Sequence, residues 1–130
     1  MDGIPWPDNF LNVWELALSS DGRHVAAESR ITIDSYTVVV DGRPWDQKFL
    51  SVWKPLFHPF KNSITAPVKL DNGWSLAEDG QILWDRRFFQ LWHHAYHPLG
   101  THIAAIAAPW FGRWTIVVDA QPRPLNFEDL

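Results

Sequence analysis

FLSVWKPLFH, residues 49–58, returns as FFQLWHHAYH at residues 88–97 and as FLNVWELALS at residues 10–19. The interval is 39 residues in both directions, and other landmarks keep it. Phe10, Phe49, Phe88 and Phe127 form one series, Trp14, Trp53 and Trp92 a second, and Trp6, Trp45 and Trp84 a third. A fixed period of this size marks a repeat architecture and governs any reading of secondary structure. Eight of the nine tryptophans fall on repeat positions and only Trp110 does not, so the excess of large rings is one repeat's packing requirement met three times. The third series would continue at position 123, which is Arg123.

Each copy continues in the same order, with HVAA, SITA and HIAA followed by YTVVVDGRPW, WSLAEDGQILW and WTIVVDAQPR. WELALS, HVAAES and YTVVV are short runs of strand-forming residues, and the Asp-Gly pairs 21/22 and 41/42 between them are hairpin signals. RPWDQKF carries Pro44 and charges, which suits an outer edge strand where a missing N–H costs little. No run of helical periodicity competes, and the ten prolines would interrupt most of them. The expected fold is all-β, a β-propeller segment of four-stranded antiparallel blades with three blades per chain. One domain spans 1–130: an extra outer strand over 2–10, then blades over 11–49, 50–88 and 89–127. The inner and outer tryptophan series are expected in the core between blades.

Composition removes several functions. Eleven basic against fifteen acidic residues give a net charge of −4, with no basic cluster for nucleic acid. Without cysteine there is no disulfide framework, thiolate metal site or cysteine nucleophile. The start, MDGIPWPDNF, has no signal pattern, and no apolar run approaches the ~20 residues of a membrane span. The expectation is a soluble, cytoplasmic protein with no direct membrane insertion.

LSSDGRHVAA and HPLGTHIAA resemble the SPDG-x-x-IA hairpin of TolB-like and WD-repeat-like propellers, recurring at blade spacing along the whole chain. More narrowly, VVVDGRPWDQKF, APVKLDNGWSLAEDGQILWDRRFFQLWHHAYHP and RWTIVVD are similar to the propeller D subunit of the transmembrane electron-transfer complex of sulfate-reducing bacteria. The resemblance implies a cytoplasmic subunit without a redox centre or cofactor of its own, associated with redox and membrane subunits. It brings no catalytic residue. The chain departs from that pattern in having three copies only, and in reading VVDAQPR where its other copies keep Asp-Gly and Trp.

Candidate sites follow from blade positions. His93, His94 and His97 in WHHAYHP would pair on a helix, but in a strand four residues span roughly 13 Å and neighbours face opposite ways, so no metal is expected there. Asp21, Asp41, Asp79 and Asp119 read as turn residues that accept local backbone N–H groups. Asp46 and Asp85 read as partners of neighbouring cations in solvated pairs. No nucleophile, phosphate-loop or nucleotide motif occurs, so no catalytic residue is assigned and no enzyme is expected. Glu15, Lys54 and His93 share one position early in the inner strand, where residues of successive blades would ring a central channel. Trp110 and Phe111 in APWFGR are expected on a long loop suited to a protein contact.

Three blades leave two apolar faces uncovered, and contact of the last blade with the first blade of another copy would close a ring. A homodimer of six blades is favoured, with a homotrimer of nine as the alternative. Trp6, Phe10, Arg123 and Phe127 are the expected interface residues, because strand 2–10 stands ready to complete a neighbour's last blade. The functional expectation is a non-catalytic module for self-assembly and protein binding, with redox-complex subunits as further partners. The alternative is a small-molecule binder or enzyme working from the channel rim.

Overall fold

The repeated strand runs fold into three antiparallel sheets. A computed structural model describes residues 12–122, whose regular structure is all strand; the expected outer strand 2–10 lies outside them. The first sheet orders β1 (Asn12–Leu18), β2 (Val25–Thr32), β3 (Ser35–Val40) and β4 (Arg43–Pro44) as neighbours. In the second sheet β5 (Ser51–Val52) and β6 (Leu56–Phe57) both pair with β7 (Ile64–Leu70), followed by β8 (Gly73–Glu78) and β9 (Gln81–Ile82). The third repeats the first, with β10 (Gln90–Tyr96), β11 (Ile103–Trp110), β12 (Arg113–Val118) and β13 (Gln121–Pro122).

All three inner strands carry one extra residue at the same place. Glu15 and Leu16 oppose Ala27 alone, and His93 and His94 oppose Ala105 alone. In the second sheet residues 53–55 stand against 66–67, and Pro55, having no N–H to donate, splits the strand into β5 and β6. Glu15 and His93 both take φ 49°, the left-handed conformation that a bulge can require.

The turns share a second device. Asp41, Asp79 and Asp119 sit at φ 50°, 49° and 50° just past β3, β8 and β12. Their carboxylates accept from the N–H of Val25, Ile64 and Ile103 at 2.9, 2.9 and 3.0 Å. Their own N–H groups donate to the carbonyls of those same residues, each at 2.9 Å. Each hairpin end is thereby clamped twice, by donors 15 or 16 residues back along the chain and not by the local N–H groups expected of turn aspartates; Asp21 does take a local donor, Arg23 N at 2.9 Å.

The outer strands are shorter than RPWDQKF suggests. After β4 the chain bows out over residues 46–48 and returns at Phe49, which exchanges backbone hydrogen bonds with Tyr36 at 2.8 and 2.9 Å. Thr37 Oγ1 donates to Gln47 O at 2.8 Å and holds the bow. The cations here do not serve the carboxylates. Lys48 Nζ donates to the Trp45 and Asp46 carbonyls at 2.5 and 3.1 Å, and Arg87 Nη1 to those of Trp84 and Asp85 at 3.0 and 2.7 Å. Carbonyls freed by the bow need donors, and the cation three residues on is within reach.

Successive sheets stack with one geometry used twice. The face of the first sheet bearing Ala26, Val38, Trp45 and Phe49 packs on Ile64, Ala66, Val68 and Ala77 of the second. The other face of the second, with Trp74, Leu76, Trp84 and Phe88, packs on Ile103, Ala105, Ala107 and Val117 of the third. Large residues on one sheet thus meet small or branched ones on the next, at matching repeat positions. A side chain also locks the second contact: His58 Nε2 lies 3.1 Å from Gly100 O, and a β-carbon on Gly100 would run into the His58 ring.

Candidate functional site

The inner strands of the three sheets converge on a cleft of about 750 Å³. The first sheet contributes Trp14 and Glu15 from β1, Glu28 from β2 and Tyr36 from β3. The second adds Ser51 to Lys54, Leu56 and Pro67, and the third adds Trp92, His93 and His94. The three residues singled out by repeat position, Glu15, Lys54 and His93, therefore line one cavity, and all three are exposed. The shared bulge brings them there: the extra residue turns the side chain at this position out of the ladder.

Tryptophans form the cavity's wall. Trp14 stacks on Tyr36 with ring centres 6.3 Å apart, Trp53 meets Trp74 edge-on at 5.9 Å, and Trp92 meets Trp114 at 5.2 Å. These are the same pair in three copies, an inner-strand ring on a ring at the start of the third strand. Trp53 and Trp92 join two of the pairs at 5.7 Å. The core expectation holds for the outer series, where Trp45 and Trp84 are 8% and 5% exposed. It fails for the inner series, since Trp14 and Trp53 are each 41% exposed into the cleft. The inner edge of a sheet has no following strand to cover its rings.

Two further groups carry the electrostatics. Glu28 stands directly across the ladder from Trp14. Burial, and then the charge of Glu15, push its carboxyl from 4.5 up to about 7. His94 is buried, and that burial holds its imidazole down at about 4 despite a hydrogen bond with Thr65 that favours the charged form. Thr65 Oγ1 shares hydrogen bonds with His94 Nε2 and Tyr96 Oη, each 3.0 Å, which ties the third sheet to the second. Among the described residues, Glu15, Glu28, Lys54 and His93 make no hydrogen bond or ion pair with one another or with any other side chain. Among the described residues, then, none of the four is oriented by another.

The remaining candidates are dispersed. His97 lies at a turn, where its Nδ1 accepts from Leu99 N at 3.0 Å, away from His93 in the cleft and His94 in the core. Trp110 ends β11 and Phe111 begins a two-residue turn with Gly112, so the expected long loop is a tight hairpin. Both rings are exposed, at 59% and 82%, and Phe111 meets Phe89 edge-on at 5.7 Å. Trp6, Phe10, Arg123 and Phe127 lie outside the described residues. Among the described residues, no helix is long and apolar enough to cross a membrane.

Sequence reasoning missed Glu28 and weighed His94 only as a metal ligand, not as a buried group, though a signal for each was present. Position 28 aligns with Pro67 and Ile106, and position 94 with Leu16 and Pro55. A lone ionisable residue where its siblings are apolar marks a departure from the packing rule. No protein-family model matches the chain, and no curated protein matches it.

Proposed function

We propose that the chain is a non-catalytic β-propeller module that assembles with copies of itself and presents its inner rim and hairpins to protein partners. The observation that carries this reading is the unused third instance of a repeated contact. Trp114 and Ile116 occupy the positions of Trp74 and Leu76, whose face takes the next sheet, yet Trp114 and its neighbour Ile106 are 43% and 41% exposed. The first sheet carries Ala27, Ser29 and Val39 at the positions that receive such a face in the second and third sheets; all three are buried within the single chain, so an incoming face would have to replace what covers them. A second copy meeting the third sheet through this relation gives a head-to-tail ring, six blades for two chains and nine for three. Six is the favoured number. The resemblance to electron-transfer propeller subunits supports a cytoplasmic module with redox-complex subunits among its partners and no cofactor of its own.

Solution mass tests the reading. At micromolar concentration the expected value is twice the 15.0 kDa of the chain. A particle of single-chain mass at that concentration, melting cooperatively, would sink it. A second reading, a small-molecule binder acting from the rim, is favoured by the convergence of Glu15, Lys54, His93 and Glu28 on one aromatic cleft.

A further inference from the structure

The cleft's acidic side is built from one sheet. Glu15 and Glu28 belong to adjacent strands of the first sheet, flank Trp14, and have no cation within ion-pair distance among the described residues. Glu28 is half-buried beside the exposed Glu15, two ionised carboxylates so placed are mutually unfavourable, and burial with the Glu15 charge already drives Glu28 toward its protonated form. The charged groups nearby pair with neither. Arg30 lies over the Tyr36 ring at 5.8 Å and donates to Ile33 O at 2.8 Å, while Lys54 and His93 line the same cleft but form no ion pair with either carboxylate.

Beside these carboxylates stand indoles with open surface. One face of Trp14 is taken by Tyr36, but the residue remains 41% exposed, as does Trp53. Rings of this kind attract a cation held over their faces, tryptophan most strongly, and more so when the cation is weakly hydrated. A metal ion is a poor match, because only two carboxylates are offered and no third oxygen or nitrogen donor is grouped with them among the described residues. A neutral polyol would stack on the rings yet leave the paired acids uncompensated.

We propose that this cleft binds a small organic ammonium ion, seated over the indoles of Trp14 and Trp53 with the carboxylates of Glu15 and Glu28 as its counter-charge. This rests on the small-molecule reading of the cleft and not on ring closure, since every residue named belongs to one chain. Lys54 and His93 line the same cleft without pairing with either carboxylate, so they are not part of the counter-charge.

Choline and its neutral isostere 3,3-dimethylbutan-1-ol separate charge recognition from shape, with binding to the full chain followed by tryptophan fluorescence and by titration calorimetry. Choline is expected to bind at least about tenfold more tightly than the isostere, the ratio that one charge interaction at the protein surface represents. Glu28→Gln and, separately, Glu15→Gln should each remove most of that ratio while leaving the isostere unchanged. The second variant keeps the test decisive if the first fails to fold. Lys54→Ala, which removes a like charge from the cleft wall, should tighten choline binding. Equal binding of choline and isostere, or binding of neither, overturns the proposal. Binding of acetate in place of choline overturns it too, while keeping the cleft a small-molecule site. Solution mass measured on the same samples shows separately whether the assembly reading stands.

Discussion

The second and third sheets place matching aromatic and aliphatic residues at their packing positions and differ in what lies beyond them. In the second, Trp74 is 5% exposed and Leu76 fully buried, because the third sheet covers them. In the third, Trp114 is 43% exposed although it makes the same ring contact with its inner-strand tryptophan. The sequence motif is therefore a property of the repeat, while burial is a property of the neighbour. In a stack of sheets each face is stable to the extent that the next repeat covers it. A terminal repeat that keeps the interior's apolar face, rather than a polar one, retains the chemistry for another partner.

The largest expected effect comes from breaking that comparison at its centre. Trp74→Ala removes a buried ring from the contact between second and third sheets and should cost about 3–5 kcal/mol in denaturant unfolding, with no change in association below the midpoint. Trp114→Ala removes the matching ring from the open face. If a second copy covers that face, the variant should lower the solution mass at micromolar concentration and cost a comparable amount only where the wild type is assembled. If Trp114→Ala changes neither mass nor midpoint, the third face is a solvated terminus and the analogy between the sheets ends there.

Much of this organisation was readable before any coordinates. The 39-residue interval, the Asp-Gly turns and the alternating strand runs give three antiparallel sheets in register, and one repeat position singled out Glu15, Lys54 and His93. What could not be read was which tryptophan faces a neighbour. Trp53 and Trp45 look alike as letters, but one sits on the uncovered inner edge and the other beneath an adjacent sheet. The bulges at Glu15 and His93 were hidden for a similar reason: they are one-residue mismatches between two strands, and periodicity within one strand does not report them. The failed pairing of Asp46 and Asp85 with nearby cations shows the same limit, since the need of the bowed backbone for donors exists only once the chain is folded.

The contact between second and third sheets differs from that between first and second in one polar feature. Thr65 and His94 hydrogen bond across it, where the first pair of sheets has Ala26 and Pro55 at those positions. His94 titrates at about 4 in the folded chain instead of 6.5, so between these values the unfolded chain binds a proton that the native one refuses. Stability from this group is therefore full above about pH 6.5 and falls as pH drops toward 4, by a total on the order of 3 kcal/mol. Glu28 acts with the opposite sign. Its native carboxyl holds a proton between 4.5 and about 7 that the unfolded chain releases, so its contribution falls as pH rises through that window. The two slopes oppose each other in the wild type. Glu28→Gln should steepen the loss of stability on acidification. His94→Gln, which can still hydrogen bond to Thr65, should flatten or reverse it. Urea midpoints at pH 7.5, 6 and 5 would check both, and unchanged slopes would exclude this pair as the source.

The smallest expected effect concerns the clamped turns, where the second sheet lacks something that its neighbours have. His24 Nδ1 lies 2.6 Å from Asp41 Oδ2 and His102 Nδ1 lies 2.5 Å from Asp119 Oδ2, but the matching position in the second copy is Ser63. Asp79 nevertheless keeps φ 49° and accepts from Ile64 N at 2.9 Å, so the clamp does not depend on the imidazole. The carboxylate is the structural element, because without it a backbone donor at the strand start loses its partner. Asp79→Ala should cost about 1–3 kcal/mol, and the same change at Asp41 should cost a similar amount. The imidazole adds a hydrogen bond open to water, which is an ion pair only when the ring is protonated and is then worth less than about 1 kcal/mol and screened by salt. Ser63→His should therefore raise the stability of the second sheet by a few tenths of a kcal/mol at pH 6 and low salt, an increment that vanishes at 1 M salt. A salt-independent gain, or a gain as large as the Asp79→Ala loss, would show that the imidazole belongs to the clamp and that the second sheet is missing a structural part.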